Sequence, residues 1–411
     1  MMNPLPLKPE NSHFTDGQWQ AIYEEGHNIL VSASAGSGKT TVLVQRVIEK
    51  IKAGTNVDEM LIVTYTEAAA KEMKARIQVA IQESVTSESD MELKRHLTRQ
   101  VTLINQASIS TLHAFCLQVI RRYYYLINLD PIFRLLTDET EILLLKESVW
   151  EDVREELYGE EDTLFKSLTA SYSNDRSDAG LTDLIFSLYE FSRANPRPEA
   201  WLEQLSYLYQ VEGNDLTNGV LFKKLLKPQI LSVLDSLVEL SQTAAQLGEG
   251  CEELQKQTAL VRIEWTALQE IQLAINENDY QTAYNYSKQF EFSRWNSVKK
   301  GTDEAIKETA EEMKLLRDQY KNRFKELTND YFSASPQEQI DLMLNAAPLV
   351  EEMARVTQLF TDAYRQRKDE RNLLDFNDLE HLTLQILAQF KKQDWVPTEA
   401  SMHYRDKFKE V

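Results

Sequence analysis

The stretch ILVSASAGSGKTTVLV, residues 29–44, decides which fold this chain adopts. An apolar run precedes a loop of small residues and an apolar helical pattern follows it, which is the strand, loop and helix context of a Walker A phosphate-binding loop. Gly36 and Gly38 allow the backbone to turn its N–H groups around a phosphate. Lys39 supplies a compact positive charge, and Thr40 supplies a hydroxyl for Mg²⁺. The stretch therefore predicts a nucleoside triphosphate site.

A Walker B strand would complete such a site, because its acidic residues hold Mg²⁺ and orient the attacking water. The nearest candidates are residues 349–352 and residues 142–145, and each lies within a helical charge pattern. We therefore expect phosphate binding, but not hydrolysis by this chain alone.

The composition is that of a mainly helical protein with more than one domain. The chain has 411 residues, with only 12 Gly and 10 Pro. Its two cysteines, Cys116 and Cys251, cannot build a four-thiolate metal site and are expected to be reduced thiols. The N-terminus lacks a basic segment followed by an apolar core, and no apolar run approaches about 18 residues. These features predict a soluble, cytoplasmic protein without a membrane partner.

The negative charge of the chain is unevenly distributed. The net charge is −20, but residues 1–130 contain 13 Lys and Arg against 14 Asp and Glu, so the remaining residues carry −19. An acidic protein is expected to bind nucleic acid weakly unless donors and aromatic rings line a local groove. The sequence thus predicts a near-neutral part joined to an acidic helical part.

Strand and helix patterns alternate over the first 130 residues. The predicted strands are residues 28–32, 60–64 and 108–111, and the predicted helices are residues 38–53, 67–87 and 112–125. Strands separated by helices imply a parallel sheet with crossover connections. From residue 137 the patterns are helical up to a last helix at residues 375–390, after which another apolar strand could begin just where the chain stops. The fold class expected is an α/β P-loop NTPase with a large all-α inserted subdomain.

Gln18 lies upstream of the loop, within the sequence FTDGQWQAI. Its amide can pair one donor and one acceptor with the edge of adenine, which would favour ATP. An ordinary helix start explains the same residues, with Thr15 or Asp16 as the cap and with Trp19 and Ile22 facing the core. The sequence leaves both interpretations open.

Two further strand-to-helix junctions carry hydroxyl and ring side chains. After the second predicted strand, Thr64, Tyr65 and Thr66 could bind a phosphodiester backbone and stack one base, although Tyr65 could instead be a packed core residue. After the third, Thr111 and His113 stand at a helix start, where N–H groups favour phosphate oxygens. A lone histidine is more often structural. The carboxyl ends of parallel strands share one sheet edge, so we expect the three junctions to lie together.

A basic and aromatic stretch, YSKQFEFSRW at residues 286–295 with Lys299 and Lys300, has the composition of a nucleic-acid site. A loop packed on the helical region explains it better, and we do not assign it to a site.

Five segments of the chain occur in the order found in superfamily 1 DNA helicases of the UvrD/Rep type. They are FTDGQWQAI, ILVSASAGSGKTTVLVQRVIEKI, IVTYTEAAAKEMKARI, ISTLHAFCLQVIRRYYYLINLDPIF and LLDFNDLEHLTLQIL. The forms ASAGSGKT and RRYYYLINLDP resemble most closely the AddA (RexA) subunits of bacterial AddAB (RexAB) helicase–nucleases. The resemblance is close over residues 14–150 and resumes at residues 373–384.

The resemblance implies a RecA-like motor part (1A) at residues 1–130, a helical insertion (1B-like) at residues 131–370 and a return segment at residues 371–411. It implies ATP and Mg²⁺ as cofactors, Lys39 and Thr40 as catalytic residues and Thr40 as the metal ligand. The implied cofactor-binding residues are Gln18, Ser34, Ala35, Gly36, Ser37, Gly38, Lys39, Thr40, Thr41 and Arg46. The implied DNA-binding residues are Thr64, Tyr65, Thr66, Thr111 and His113.

Two departures from the family pattern matter. Glu67 stands where the pattern commonly has Asn, which places a negative charge near the expected DNA strand. The acidic Walker B motif, the arginine finger, the second motor domain and the nuclease motif are all missing. The segment DFNDL, residues 375–379, normally precedes the Walker B strand by a few dozen residues. The chain therefore resembles the amino-terminal third of a longer protein that ends just before that strand.

We expect the ATP-binding part of an ATP-dependent DNA helicase–exonuclease for double-strand break processing and recombinational repair. The partners that the resemblance implies are single-stranded and double-stranded DNA and a second protein of the AddB (RexB) type. The alternative is a catalytically inactive, nucleotide-regulated P-loop binding module. A small-molecule P-loop kinase is disfavoured, because the sequence has no lid-like arginine cluster.

Overall fold

The computed structural model describes residues 5–411, except residues 35, 161, 174–176, 212, 214 and 300. The chain divides into two compact units. Unit 1 contains residues 1–144 and 366–411, and unit 2 contains residues 145–365. The domain boundaries expected at residues 130 and 370 stay a prediction.

Helices dominate both units. In chain order the α-helices are α1 (Asp16–Tyr23), α2 (Lys39–Lys52), α3 (Glu67–Ser87), α4 (Met91–Leu103), α5 (Leu112–Tyr123), α6 (Glu139–Gly159), α7 (Thr163–Tyr172), α8 (Ala179–Arg193), α9 (Pro198–Tyr207), α10 (Lys227–Leu247), α11 (Gln255–Asn276), α12 (Tyr280–Gln289), α13 (Glu304–Tyr331), α14 (Pro336–Glu370), α15 (Phe376–Leu387) and α16 (Glu399–Lys407). The strands are β1 (Leu61–Thr64), β2 (Ser108–Thr111), β3 (Arg134–Leu135), β4 (Leu373–Leu374), β5 (Ala388–Lys391) and β6 (Asp394–Pro397).

The sheet of unit 1 is parallel, as expected. Strands β1 and β2 pair in parallel with Thr64 opposite Thr111, and α3 and α4 form the crossover connection. On the other side of β1, Met60 forms a parallel bridge with Glu410, and the Leu61 N–H donates to the Glu410 carbonyl over 2.9 Å. Two smaller pairs, parallel β3–β4 and antiparallel β5–β6, complete the described strands.

The strand predicted at residues 28–32 does not form, and the prediction is wrong. Residues 28–34 have no regular structure, and Leu30 and Val31 are 97% and 54% exposed. A strand requires a neighbour for its N–H and C=O groups. No described strand pairs with residues 28–32, so the apolar run stays exposed although its composition suits a buried strand.

The predicted helices are found with small shifts at their ends. Predictions 38–53, 67–87 and 112–125 correspond to α2, α3 and α5, of which α3 has the predicted bounds. Gly54, with φ +106°, follows the end of α2 as a helix-terminating glycine should. The helix predicted at residues 375–390 ends earlier, because its last residues belong to the β5–β6 hairpin. Helices α4 and α16 and this hairpin were not predicted.

Unit 1 contains two apolar clusters. The first lies between α2, α3, α4 and β1, and includes Ile51, Ile62, Ile77 and Leu97. The second joins α5 to α15 and α16, and includes the Cys116 thiol. Burial raises the pKa of that thiol, so Cys116 is an inert packing residue. Both cysteines are free.

Unit 2 is helical throughout its described regular structure. Its core lies between α10, α11, α12 and α13, where Leu237, Leu268 and Tyr320 are fully buried. An ion pair crosses this core from α11 to α13. Arg317 donates to the Glu264 carboxylate over 2.5 Å from Nη2 and 2.9 Å from Nε, and both side chains are at least 97% buried. Among the described residues, no helix is both long and apolar enough to cross a bilayer.

The basic and aromatic stretch at residues 286–295 is a packed loop. Phe290, Phe292 and Trp295 pack against the core of unit 2, and Arg317 lies 5.7 Å and 5.6 Å from the ring centroids of Phe292 and Trp295. Lys300 lies outside the described residues. The rings that a nucleic acid would need for stacking are therefore engaged within the protein.

Candidate functional site

The phosphate-loop sequence places two glycines in left-handed conformations immediately before a helix. Gly36 has φ +79° and Gly38 has φ +80°, which are backbone conformations that favour glycine. Gly38 is the N-cap of α2, and no described side chain caps this helix. The first N–H groups of α2, which begin at Lys39, Thr40 and Thr41, therefore lack a side-chain acceptor and can serve an anion. Ala35 lies outside the described residues.

Lys39 extends over the loop. Its Nζ donates to the Ala33 carbonyl over 2.9 Å and to the Ser34 carbonyl over 2.7 Å. Ser37 closes the same turn, since its Oγ donates to the Ser34 carbonyl over 2.8 Å. The ammonium group is exposed and is held by neutral carbonyl groups alone. A phosphate oxygen would be a stronger partner, because a charge-assisted hydrogen bond is about twice as strong as a neutral one.

Gln18 connects the first helix to the loop. Its Nε2 donates to the Ser37 carbonyl over 2.9 Å, and its Oε1 accepts from the Thr15 N–H over 2.9 Å. Thr15 completes a capping box, because its Oγ1 accepts from the Gln18 N–H. The helix-start interpretation is therefore correct, and Ile22 is buried as that interpretation requires. Gln18 also lies beside the loop, and its contact with adenine stays a prediction.

Arg46 stabilises the end of α1. Its Nη1 donates to the carbonyls of Ala21 and Glu24 over 2.9 Å each and to that of Ile22 over 3.3 Å. A cation at a helix C-terminus satisfies unpaired carbonyls and opposes the helix dipole. This contact fixes α1 against α2 and holds Gln18 near the loop.

A cavity of about 610 Å³ opens beside the loop. Its lining residues are Thr15, Gly17, Gln18, Ala21, Val31, Ser32, Ala33, Ser37, Lys39, Val42, Leu43 and Arg46. The volume is in the range of ordinary ligand sites, and the lining combines an apolar wall with a few polar groups. The glycine conformations, the free helix start and the Lys39 ammonium fit a triphosphate, and Thr40 at the start of α2 supplies a hydroxyl that suits Mg²⁺.

The second and third junctions are neighbours, because Thr64 and Thr111 are paired across β1 and β2. Two of their threonines are helix caps. Thr66 Oγ1 accepts from the Ala69 N–H over 3.1 Å at the start of α3, and Thr111 Oγ1 accepts from the Ala114 N–H over 3.2 Å at the start of α5. Each capping hydroxyl retains its own proton, which can be donated outward.

Tyr65 lies between these caps and is 99% exposed. The core alternative for Tyr65 is therefore wrong. Glu67 is the first residue of α3, where its carboxylate stabilises the positive end of the helix dipole. That local role gives a physical reason for an acid at this position of the sheet edge.

His113 contacts two residues that sequence reasoning did not assign. Its Nε2 lies 3.0 Å from Glu380 Oε1, and its ring centroid lies 4.8 Å from that of Phe376. Both partners belong to α15, and all three side chains are partly exposed. The segment DFNDL was part of the family resemblance, so the signal was present, but nothing local tied Phe376 to a strand 265 residues earlier.

A buried charge cluster fixes the start of α15. Lys368 Nζ lies 2.8 Å from Asp375 Oδ2 and 2.5 Å from Asp378 Oδ2, and Lys368 is 97% buried. Asp375 and Asp378 also form a reciprocal capping box. Burial raises the pKa of Asp378, and the nearby ammonium opposes that change. The cluster determines where Phe376 stands relative to α5.

Two comparisons place this geometry among known proteins. The family model described as the UvrD/REP helicase N-terminal domain matches residues 14–186. These residues include the phosphate loop, both junctions and the helices that follow them.

Curated relatives match nearly the whole chain. The ATP-dependent helicase/nuclease A-subunit of Enterococcus faecalis is 50% identical over 411 residues, which is 100% of this chain and 32% of that protein. The proteins of the same name from Ligilactobacillus salivarius and Pediococcus pentosaceus are each 41% identical, over 91% and 97% of this chain and 30% and 32% of their own lengths. The chain thus spans about a third of the length of these relatives.

Proposed function

This chain belongs to the family of ATP-dependent helicase/nuclease A-subunits, with the UvrD/REP helicase N-terminal domain, and from that premise we propose that it is the ATP-binding part of a DNA helicase. The activity is ATP-dependent unwinding of DNA in double-strand break processing and recombinational repair. The observation that carries the proposal is the exposed Lys39 ammonium above a glycine-bent loop, at the mouth of the 610 Å³ cavity. Lys39 and Thr40 are the proposed catalytic residues.

The nucleotide site is assigned to one set of residues. They are Gln18, Ser34, Ala35, Gly36, Ser37, Gly38, Lys39, Thr40, Thr41 and Arg46. The loop N–H groups and Lys39 would hold the triphosphate, and Thr40 would hold Mg²⁺. When bound, ATP supplies the free energy of phosphoryl transfer. Gln18 would exchange its contacts with Thr15 and Ser37 for the adenine edge, while Arg46 keeps α1 in place.

Single-stranded DNA is assigned to the edge formed by the carboxyl ends of β1 and β2. Thr64, Thr66, Thr111 and His113 would contact its backbone, and Tyr65 would stack one base. The 99% exposure of Tyr65 supports this assignment, since an isolated exposed ring is available for stacking. Duplex DNA would be the substrate of the complete enzyme.

The whole assembly extends the same proposal. The relatives are named as one lettered component of a helicase/nuclease, which implies a second component, and we assign an AddB (RexB)-type protein to that role. We place the protein in the cytoplasm, where its two free thiols stay reduced. Residues 1–130 and 371–411 are assigned to the RecA-like motor part, and residues 131–370 to a 1B-like insertion.

Hydrolysis by this chain alone is expected to be slow. The two stretches with Walker B-like composition, residues 142–145 and 349–352, lie inside α6 and α14 rather than in strands. Neither can present a carboxylate from a strand end to the phosphate loop. The inactive binding-module alternative is less favoured, because the relatives are named as helicase/nuclease subunits.

The substitution Lys39→Ala tests the nucleotide site. We expect weak ATP binding by this chain and no measurable binding by the variant, because the loop then lacks its cation. Titration calorimetry with Mg²⁺ and a slowly hydrolysed ATP analogue measures binding, and a phosphate-release assay with and without oligo(dT) measures turnover.

Lys52→Ala is the matched control, since Lys52 lies at the opposite end of the same helix and pairs with Glu49 over 3.2 Å. The control should bind as the parent chain does. Equal binding by Lys39→Ala and the parent would refute the site. DNA-stimulated turnover at the rate of a complete helicase, abolished by Lys39→Ala, would refute the expectation of slow hydrolysis.

A further inference from the structure

Three side chains form a cluster beside the sheet edge. The His113 ring is tilted by 45° to the Phe376 ring at a centroid distance of 4.8 Å, and His113 Nε2 lies 3.0 Å from Glu380 Oε1. Phe376 is 40% exposed, and the His113 and Glu380 side chains are 39% and 46% exposed. The cluster is therefore open to solvent on at least one side.

The packing of α15 separates this cluster from the core. Leu379, Thr383 and Ile386 are the buried residues of the helix. Phe376 and Glu380 are four residues apart, so they lie one turn apart on the same face of the helix. An exposed phenylalanine contributes little to folding, because its hydrophobic stabilisation depends on burial. Phe376 is thus available for a ligand, while its neighbours hold the helix in place.

We propose that this cluster is a second base-binding unit of the single-strand path, in which Phe376 is a stacking platform and Glu380 is the positioning residue for His113. The inference rests on the DNA path proposed above and adds two residues to it. A planar base has a π-face that stacks on an aromatic ring whatever its sequence. Tyr65 and Phe376 would then serve different bases of the same strand.

The Glu380 contact determines what the imidazole can offer. An ionised carboxylate only accepts hydrogen bonds, so the proton of a neutral His113 ring belongs on Nε2. Nδ1 is then the acceptor of the ring. An acceptor suits the N–H groups of an unstacked base, which single-strand recognition reads on the base edges. Glu380 thus acts on DNA through His113.

The sign of a charge effect separates this role from that of an ordinary surface carboxylate. A carboxylate near a phosphodiester strand weakens DNA binding by repulsion. If Glu380 did nothing else, both Glu380→Ala and Glu380→Gln would raise the affinity for DNA. If Glu380 positions His113, Glu380→Ala lowers the affinity, while Glu380→Gln preserves it because the amide oxygen still accepts from Nε2–H.

The first experiment measures stacking by Phe376. The full chain is titrated with fluorescein-labelled oligo(dT) at low salt, and an oligonucleotide with one 2-aminopurine reports stacking at each position by quenching. We expect Phe376→Ala to weaken binding at least about fivefold and to remove quenching at one position. Phe376→Tyr should restore both. Phe191→Ala, at a 66% exposed phenylalanine of unit 2, is the matched control and should change neither.

The second experiment compares Glu380→Ala with Glu380→Gln in the same assay, with circular dichroism to verify folding. Higher affinity in both Glu380 variants, or unchanged quenching in Phe376→Ala, would overturn the inference. Tyr65→Ala distinguishes the two levels of the proposal. If Tyr65→Ala weakens binding while Phe376→Ala does not, the cluster alone is refuted. If the parent chain fails to bind oligo(dT), both the DNA path and the cluster are refuted.

Discussion

Single residues of the phosphate loop determine its shape through their backbone conformation. Gly38 has φ +80°, and a Cβ atom added there would lie 3.3 Å from Gln18 Nε2. The glycine thus permits both the turn into α2 and the close approach of the Gln18 amide. Lys39 follows directly, so the backbone at Gly38 also determines where the ammonium group points.

Gly38→Ala should weaken ATP binding by about tenfold. A left-handed conformation costs an L-residue roughly 1–2 kcal/mol, and the added methyl group displaces Gln18. Calorimetric titration with the ATP analogue measures the loss. Gly159→Ala is the control, because Gly159 has an ordinary φ and nothing within 4 Å of the added atom. Unchanged binding by Gly38→Ala would mean that the loop does not keep this conformation when it binds.

Residue identity alone left two roles open for Tyr65 and for Gln18. Tyr65 could pack or stack, and its 99% exposure decides against packing. Gln18 could cap or read a base, and its amide reaches both Thr15 and Ser37. Exposure and contacts depend on residues distant in sequence, so no local pattern could have decided either case.

Among the elements, helices were predicted better than strands. The bounds of α3 were correct and those of α2 nearly so, since helix hydrogen bonds and caps are local. Residues 28–32 have a strand composition but no described partner, so they remain irregular. The β5–β6 hairpin turns through Lys392 and Gln393, which both have positive φ without a glycine to indicate it. Pairing partners are non-local and therefore harder to predict.

The ion pair between α11 and α13 gives a test at the element scale. Glu264→Leu should destabilise the protein by about 3–5 kcal/mol, because Arg317 would be left buried and unpaired. The hydroxyl of Tyr320 would also lose its acceptor, since it donates to Glu264 Oε2 over 2.5 Å. The pKa of Tyr320 is raised first by burial and then by this carboxylate, so the hydroxyl remains a donor. Urea denaturation measures the change.

The double variant Glu264→Leu/Arg317→Met should recover much of this loss, because no charge then remains buried. Glu249→Ala is the matched control, since Glu249 and Arg262 form a pair in which each side chain is 55% exposed. Its loss should stay below about 1 kcal/mol. An equal cost for Glu264→Leu and Glu249→Ala would show that the buried pair is not the reason for stability.

For the whole molecule, charge limits how DNA can be held. The net charge is −20, and residues 1–130 are close to neutral with 13 basic and 14 acidic side chains. The proposed DNA path therefore depends on hydroxyl groups, backbone N–H groups and rings more than on lysine and arginine. Contacts of these kinds position a strand without releasing many counterions.

Binding of oligo(dT) should consequently depend only weakly on salt. About three phosphate contacts by cations would give a slope near −2 for log affinity against log salt, from roughly −0.7 per contact for single strands. Fluorescence anisotropy over a series of NaCl concentrations measures the slope. A slope near −6 would require about eight such contacts and would place the strand on a basic surface that we have not assigned.

The sequence by itself determined the phosphate loop, the parallel pairing that places two threonine junctions together and the helical character of unit 2. Each of these follows from local patterns of glycines, caps and apolar spacing. Only the tertiary structure decided that residues 28–32 stay unpaired, that Arg46 holds α1, and that Phe376 and Glu380 reach His113. Those contacts join residues far apart in the chain, and they form only when packing brings separate elements together.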